Sequence, residues 1–248
     1  MDTRLQILLI GDSCQDVYVY GTCDRISPEA PVPVLLEQHR HTMPGMAANV
    51  KANLEVLGCD VDFITNDALI TKTRYIDSRS GQQLLRVDNE ADLIPWSGRI
   101  ASDLNDYDAV VFSDYNKGFL TYDNIKALLE NYDGPVFVDT KKTDLSVFKG
   151  CYVKINELES KRISKDTEHL IVTLGSKGAK YKDQMYATPA VEVSDVCGAG
   201  DTFLAALAYK HTLEGNIDSS IEFANKAASL TVQHLGVYAP TLEEISCQ

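Results

Sequence analysis

The chain has 248 residues, of which 44% are hydrophobic and 24% are charged. This composition is typical of a globular protein with a full hydrophobic core, and it excludes intrinsic disorder over most of the length. With 23 basic and 36 acidic residues the formal net charge is −13. Such a chain has no general electrostatic attraction to nucleic acid or to anionic membranes, so we expect any phosphate group to bind at a local site.

The apolar stretch near the N-terminus is too short for the core of a signal peptide, so we expect none. No apolar run approaches the length that a membrane-spanning helix needs, so we expect no such helix. The six cysteines lie far apart and include no Cys-x-x-Cys pair, which indicates reduced thiols and a cytoplasmic setting. His39 and His41 have no cysteine or carboxylate partners at ligand spacing. An exposed polar turn is therefore the favoured interpretation of these two histidines over a zinc site.

Short apolar runs alternate with helical patterns along most of the chain. The apolar runs cover residues 7–10, 61–64, 109–112, 136–138 and 170–172. Helical patterns cover about 46–57, a segment around 125–129, 202–213 and 219–234. Runs that are β-branched and fully apolar are typical of strands buried on both faces of a parallel sheet, and the alternation predicts a layered α/β domain. Ligands of such sheets bind beyond the carboxyl ends of the strands, where we expect the site.

Four further strand-like segments do not fit this alternation. They cover residues 17–20, 32–36, 73–76 and 83–87. Their alternation of apolar and polar residues predicts strands with one exposed face, so we expect a small flap beside the main sheet. Because the sequence shows no linker or internal repeat, we expect residues 1–248 to form a single domain, with flap strands from about 17–38 and 73–88.

The sharpest local pattern is Gly198-Ala199-Gly200-Asp201, directly before a strong helical pattern. The small residues allow the backbone to approach a ligand closely, and the first turn of a helix attracts anions. A carboxylate beside a bound phosphate is better suited to accept a proton from an attacking hydroxyl than to bind that phosphate. Alternatively, Asp201 has no catalytic role and is present because acidic residues stabilise a helix N-terminus. The spacing of the residues alone does not distinguish these two interpretations.

Five motifs in chain order resemble the ribokinase-like (PfkB) carbohydrate kinases, over nearly the whole chain. They are Gly11-Asp12 with Asp16, Pro44 to Val50, Asn156 to Glu159, Val172 to Gly178, and Gly198 to Thr202. The resemblance implies a three-layer α/β/α sandwich with a mostly parallel central sheet and a small β-sheet lid. It also implies phosphoryl transfer from Mg·ATP to a hydroxyl group of a sugar.

Three segments narrow the resemblance to the kinase module of the D-glycero-β-D-manno-heptose 7-phosphate kinases. They cover residues 25–34, 71–88 and 113–118. This similarity implies a sugar that already carries a distal phosphate, phosphorylated at its anomeric hydroxyl to the 1,7-bisphosphate. Two alternatives remain open. One is another sugar or nucleoside kinase of the family, of the fructose or ribose type. The other is an inactive protein that only binds a sugar phosphate or a nucleotide.

The resemblance also implies a role for each motif residue. Asp201 would be the general base, and the N–H groups of Gly198, Ala199 and Gly200 would stabilise the transferring phosphoryl group. The residues implied in sugar binding are Asp12, Asp16, Gly45 and Asn49, with Arg74, Arg86 and Lys117 as candidates for the distal phosphate. Those implied in ATP binding are Lys141, Asn156, Glu159, Thr173, Gly175, Gly178 and Asn225. Glu159 would organise a hydrated Mg²⁺ through water. The implied partners are a small sugar phosphate, ATP and a second copy of the chain bound through the lid.

The sequence departs from the family pattern in several places. Met46 stands at the second glycine of the early signature, where we expect a side chain to crowd the sugar or to stiffen the hinge that closes the lid. Cys197 replaces a threonine, and a thiol beside a helix N-terminus is reactive unless it is buried. Thr140 and Lys142 replace the proline and glycine of an Asp-Pro-Lys-Gly turn. The chain is also short between residues 64 and 71 and between 159 and 170, although both deletions spare the motif residues. From spacing alone, Arg74, Arg86, Asn49 and Asn225 fit solvated positions as well.

Overall fold

The computed structural model describes residues 4–248, and its larger sheet has eight strands. They are β1 (Gln6–Gly11), β4 (Asp60–Thr65), β7 (Ala109–Asp114), β8 (Val136–Thr140), β9 (Tyr152–Asn156), β10 (His169–Thr173), β11 (Ala179–Tyr181) and β12 (Gln184–Tyr186). Their spatial order is β12-β11-β10-β9-β8-β7-β1-β4. The six strands from β4 to β10 in this order pair in parallel, and β11 and β12 add an antiparallel edge.

Six α-helices accompany the strands in the described residues. They are α1 (Ala47–Val56), α2 (Tyr122–Leu129), α3 (Glu157–Ser160), α4 (Ala199–Glu214), α5 (Ile217–Thr231) and α6 (Leu242–Ser246). Successive strand residues point to opposite faces of a sheet. Accordingly, Ile7 and Leu9 of β1 pack in one core with α1, α4 and α5, whereas Leu8 and Ile10 pack in a second core with α2. The result is the expected three-layer sandwich.

A second sheet of four strands extends from one end of the sandwich. It consists of β2 (Ser13–Ile26), β3 (Pro33–Met46), β5 (Thr71–Asp77) and β6 (Gln83–Asn89), in the order β3-β2-β5-β6. We call it the small sheet. β2 follows β1 almost directly, and β3 leads directly into α1. The small sheet is therefore connected to the sandwich at the carboxyl end of β1, which is where the sequence places the site.

The predicted fold class is confirmed, and most predicted elements lie within a few residues of their observed bounds. The sequence pattern does not predict β9, because Lys154 interrupts its apolar run. That lysine is buried and paired with Asp139, so the strand accommodates it without an exposed face. The short β11, β12 and α6 are also absent from the predicted elements. None of the helices in residues 4–248 is long and apolar enough to cross a membrane.

Candidate active site

The turn before α4 brings the Gly-Ala-Gly motif to the carboxyl ends of the central strands. Gly198 precedes the helix with φ of 76°, a conformation that favours glycine. A Cβ atom there would also lie 2.8 Å from Nδ2 of Asn49. Gly198 is thus required by its backbone angle and by its contact with α1. In the first turn of α4 the N–H of Ala199 donates a 3.4 Å hydrogen bond to the carbonyl of Val196, whereas the N–H groups of Gly200 and Asp201 have no backbone acceptor. These two groups make the helix start suited to bind an anion.

Asp201 lies in the first turn of α4 and is 4% exposed. Nδ2 of Asn49 donates a 3.0 Å hydrogen bond to its Oδ2, and the hydroxyl of Tyr115 donates a 2.8 Å bond to its Oδ1. Burial raises the pKa of Asp201 to about 6, the charge of Asp139 adds to this, and the two donated hydrogen bonds oppose it. A carboxylate with this pKa is ionised at neutral pH and can accept a proton there.

The four residues expected to bind the sugar lie where β1, the small sheet and α1 meet. Asp12 follows β1, and its Oδ2 accepts a 3.2 Å hydrogen bond from the backbone N–H of Lys117. Its buried Oδ1 has no hydrogen-bond partner. Asp16 lies against Gly45 so closely that a Cβ at Gly45 would stand 2.2 Å from Oδ2 of Asp16. Asn49 is buried on α1, so its solvated alternative is wrong.

The small sheet carries several cations on the face that contains Asp16. Arg74 on β5 pairs in register with Tyr18 on β2 and with Arg86 on β6. Arg74 is buried and forms an ion pair with Asp16, which excludes its solvated alternative. Arg86 is half-exposed and bonds to Asp88. Like charges directly opposite each other destabilise a sheet. Here the carboxylates of Asp16 and Asp88 each pair with one of the two guanidinium groups and offset this repulsion.

Lys117 is the third residue expected to contact the distal phosphate. Its backbone N–H contacts Asp12, while its ammonium group forms an ion pair with Glu90. Arg74 and Arg86 likewise each have a carboxylate partner. A phosphate ligand would therefore have to share these cations with the acidic side chains, or displace them.

A cavity of about 350 Å³ lies on the other side of the helix start. Its wall is largely apolar and includes Thr173, Gly175, Gly178, Val193, Val196, Ala199, Gly200, Phe203 and Asn225. Asn225 is buried, and its Nδ2 donates hydrogen bonds to the carbonyls of Tyr186 (3.0 Å) and Ala187 (3.3 Å). The solvent-facing alternative for Asn225 is therefore wrong. An apolar cavity with one oriented amide fits a planar heterocyclic base such as adenine.

Lys141 and Glu159 lie at the edge of the same region and form an ion pair. Oε2 of Glu159 also accepts the backbone N–H of Asn156 in a capping box at the start of α3. Within residues 4–248 no group of three or more His, Cys, Asp or Glu side chains could hold a metal ion. A lone carboxylate fits Mg²⁺ that retains most of its water ligands, because this ion is often held by one or two carboxylates plus substrate phosphates.

Residues 152–244 match the family model described as pfkB family carbohydrate kinase. The chain is 35% identical to the bifunctional protein HldE of a Nitratiruptor species, over 97% of its own length and 64% of that relative. It is 32% identical to the bifunctional protein HldE of Aliarcobacter butzleri, over 99% and 64%. Part of the chain thus matches the pfkB carbohydrate kinase model, and nearly all of it is similar to the HldE relatives. It spans slightly less than two thirds of the length of these relatives. The similarity indicates a kinase with an alcohol group as acceptor.

Solved structures of the same fold cover nearly the whole chain. Ribokinase from Thermotoga maritima superposes with a TM-score of 0.72 at 18% identity, covering 98% of both chains. Arabidopsis thaliana ribokinase complexed with ribose and ATP superposes with a TM-score of 0.71 at 18% identity, covering 99% of this chain and 98% of that one. Escherichia coli phosphofructokinase-2 in complex with fructose-6-phosphate gives 0.71 at 15% identity, covering 98% and 97%. The fold is therefore ribokinase-like.

Two side chains at this site, those of Tyr115 and Lys154, have no role assigned from the sequence. The Tyr115 hydroxyl contacts Asp201 directly. Lys154 forms a buried ion pair of 2.7 Å with Asp139 and donates a 3.2 Å hydrogen bond to the carbonyl of Gly200. The only signal for Lys154 in the sequence is its position inside an apolar run, and this signal does not identify its partner. For Tyr115 the only signal in the sequence is its membership of the 113–118 segment.

The departures from the family pattern also have structural explanations. Met46 has φ of 59° and turns its side chain into a small apolar cluster with Cys14 and Ile70. Burial raises the pKa of the half-buried Cys197 thiol, so this group is protonated at neutral pH and weakly nucleophilic. Lys142 is buried and forms an ion pair with Asp114. Lys142 therefore holds the ends of β7 and β8 together.

Proposed function

We propose that this chain transfers the γ-phosphoryl group of Mg·ATP to a hydroxyl group of a sugar phosphate, with D-glycero-β-D-manno-heptose 7-phosphate as substrate and the 1,7-bisphosphate as product. The observation that carries the proposal is Asp201, a buried carboxylate with a pKa of about 6 at the start of α4. It lies between the cationic face of the small sheet and the apolar cavity. A base so placed can reach a hydroxyl group on one side and a phosphate on the other.

In this proposal each part of the site has one task. Asp12 and Asp16 accept hydrogen bonds from sugar hydroxyls, and the unpartnered Oδ1 of Asp12 lacks such a donor in the protein. Oδ1 or Oδ2 of Asp201 accepts the proton of the attacking hydroxyl. The N–H groups around Ala199 and Gly200 donate to the oxygens of the transferring phosphoryl group. The sugar hydroxyl oxygen forms a bond to the γ-phosphorus of ATP, while the bond from that phosphorus to the β–γ bridging oxygen breaks and ADP leaves. The proton of the hydroxyl group goes to Asp201.

ATP fits the cavity between β10, α4 and α5. The adenine would lie against Val193, Val196 and Phe203, within reach of the free Oδ1 of Asn225. Lys141 would contact the phosphates, and Glu159 would hold Mg²⁺ through water. When bound, Mg²⁺ supplies positive charge that neutralises the phosphate oxygens.

The preference for a sugar that already carries a phosphate is supported by the small sheet. Arg74 and Arg86 are direct cross-strand neighbours, and Lys72 lies on the same face of β5. A substrate with a single uncharged ring does not need this concentration of positive charge. The similarity of residues 25–34, 71–88 and 113–118 to the heptose 7-phosphate kinases supports the same substrate class.

The reaction is tested by measuring ADP release with Mg·ATP and a panel of acceptors: heptose 7-phosphate, the unphosphorylated heptose, fructose 6-phosphate, ribose, fructose and adenosine. We expect turnover with heptose 7-phosphate alone. Asp201→Asn should reduce kcat by a factor of about 10² to 10⁴, the usual contribution of a general base, while ATP affinity stays within twofold. Turnover with another acceptor would refute the heptose assignment. ATP binding without turnover on any acceptor would favour a protein that only binds its ligands.

The phosphate contact is tested with a matched pair of arginine variants in the small sheet. Arg86→Ala should raise KM for the sugar phosphate at least tenfold, because a charge-assisted contact is lost. Arg79→Ala is the control, since Arg79 lies beyond the end of β5, exposed and bonded to Asp24. Equal effects of the two variants would refute a phosphate contact at Arg86.

A further inference from the structure

Tyr115 lies between Asp201 and two lysines. Its hydroxyl donates a 2.8 Å hydrogen bond to Oδ1 of Asp201. The ammonium nitrogens of Lys72 and Lys141 lie 5.1 Å and 5.2 Å from the centre of its ring. Lys72 is on β5 of the small sheet, whereas Lys141 follows β8 of the large sheet. The phenol ring thus has cations from both sheets beside it, and its O–H is directed at the base.

We propose that Tyr115 is a positioning residue for Asp201, whose hydroxyl holds the carboxylate ionised and in one orientation for proton transfer. This inference rests on the role of Asp201 in the proposed function. Oδ1 accepts from Tyr115 while Oδ2 accepts from Asn49. Donors on both oxygens fix the plane of the carboxylate. Each oxygen still has a lone pair with which to accept a proton from the sugar hydroxyl.

The hydrogen bond is needed because the surroundings of Asp201 disfavour its charge. Burial is the main cause that raises its pKa, and the nearby charge of Asp139 adds to it. Tyr115 and Asn49 oppose both effects. Burial and the charge of Asp201 hold the pKa of Tyr115 well above its usual value. The phenol therefore keeps its proton at neutral pH and acts as the donor to Asp201.

Other ionisable groups face Asp201 and Tyr115 from the elements packed around them. They are Cys14 on β2, Lys72 on β5, Asp139 on β8, Lys141 after β8, and Lys154 on β9. Asp139 is ion-paired with Lys154. Burial raises the pKa of Cys14 to about 12, which keeps that thiol neutral. A substitution that removes only the Tyr115 hydroxyl leaves all of these charges in place.

The test is a pH titration of the Asp201 carboxyl group, in which its ¹³C chemical shift is measured at each pH. The signal is assigned by its absence from the spectrum of Asp201→Asn. In Tyr115→Phe we expect the midpoint to rise by about one pH unit, because a hydrogen bond to a charged group is lost. Tyr132→Phe is the matched control, since that buried tyrosine donates to the carbonyl of Tyr107 away from the site. An unchanged midpoint in Tyr115→Phe overturns the proposal.

Two further measurements separate positioning from folding and from the proposed reaction. Replacement of Tyr115 by 3-fluorotyrosine keeps the packing but makes the phenol a stronger donor, so the midpoint should fall. A rise would overturn the proposal even if Tyr115→Phe folds poorly. The acid limb of kcat/KM against pH should move with the carboxyl midpoint in each variant. If no sugar is turned over, the proposed function fails, whereas the ¹³C titration still decides the role of Tyr115.

Discussion

Met46 provides a sharp test of the backbone geometry at the entrance to α1. It is a non-glycine residue with φ of 59° and ψ of −132°, a region that essentially only glycine occupies without strain. Its side chain is nonetheless buried, in a cluster with Cys14 and Ile70. The strain is tolerated because the methionine side chain packs between Cys14 of β2 and Ile70, which precedes β5.

The perturbation is a pair of substitutions, Met46→Ala and Met46→Gly. Both lose the buried side chain beyond Cβ, and this loss destabilises by about 2–5 kcal/mol. The alanine variant keeps the strained backbone, which costs about 1–3 kcal/mol. The glycine variant is free of this strain, but its unfolded chain gains about 0.5–1 kcal/mol of entropy. The difference leaves Met46→Gly more stable than Met46→Ala by about 1 kcal/mol.

The assay is urea unfolding at 25 °C, followed by circular dichroism, with the free energy of unfolding taken from the midpoint and slope. Ala52→Gly is the control, because Ala52 lies within α1 and has ordinary helical geometry. There we expect the usual order, in which glycine is about 1 kcal/mol less stable than alanine. If Met46→Ala equals or exceeds Met46→Gly in stability, the strain at this position does not exist.

Three further predictions concern stability and assembly. Burial lowers the pKa of His211, and nearby His169 adds to this, so stability should fall as the pH drops below about 6.5. His211→Phe should reduce this loss in thermal melts between pH 7 and 5, and an unchanged pH dependence would contradict the prediction. Lys154→Met should destabilise by about 3–5 kcal/mol because Asp139 is left buried and unpaired. The double variant Lys154→Met, Asp139→Leu should recover at least half of the lost free energy of unfolding, measured in urea. If it recovers none, the loss does not come from an unpaired Asp139. Leu85 is exposed on β6, on the face opposite Arg86. If the small sheet forms a homodimer interface, Leu85→Glu should convert a dimer to a monomer in sedimentation velocity, and a monomeric native protein would refute that arrangement.

Local pattern explains why much of the fold could be predicted. The residues of β1, β7 and β8 are apolar without interruption, because strands in the middle of a parallel sheet are buried on both faces. The start of α4 could be predicted equally well, because a glycine-rich turn directly before a long apolar helical pattern is typical of a helix N-terminus that binds an anion. Each of these signals lies within about ten residues of sequence and needs no distant partner.

The pairing of distant side chains was decided only by the tertiary structure. Asp201 and Tyr115 are 86 residues apart, and Asp201 and Asn49 are 152 apart. The surroundings that raise the pKa of Asp201 come from at least three elements. The burial of Lys154 could not be predicted either. A lysine in a strand is expected to be exposed unless a partner such as Asp139 is known to lie beside it. Local sequence patterns predict the strands, the helix starts and the residue types available for chemistry. Burial and charge are sums over neighbours in space, so only the folded chain decides which of those residues share a site.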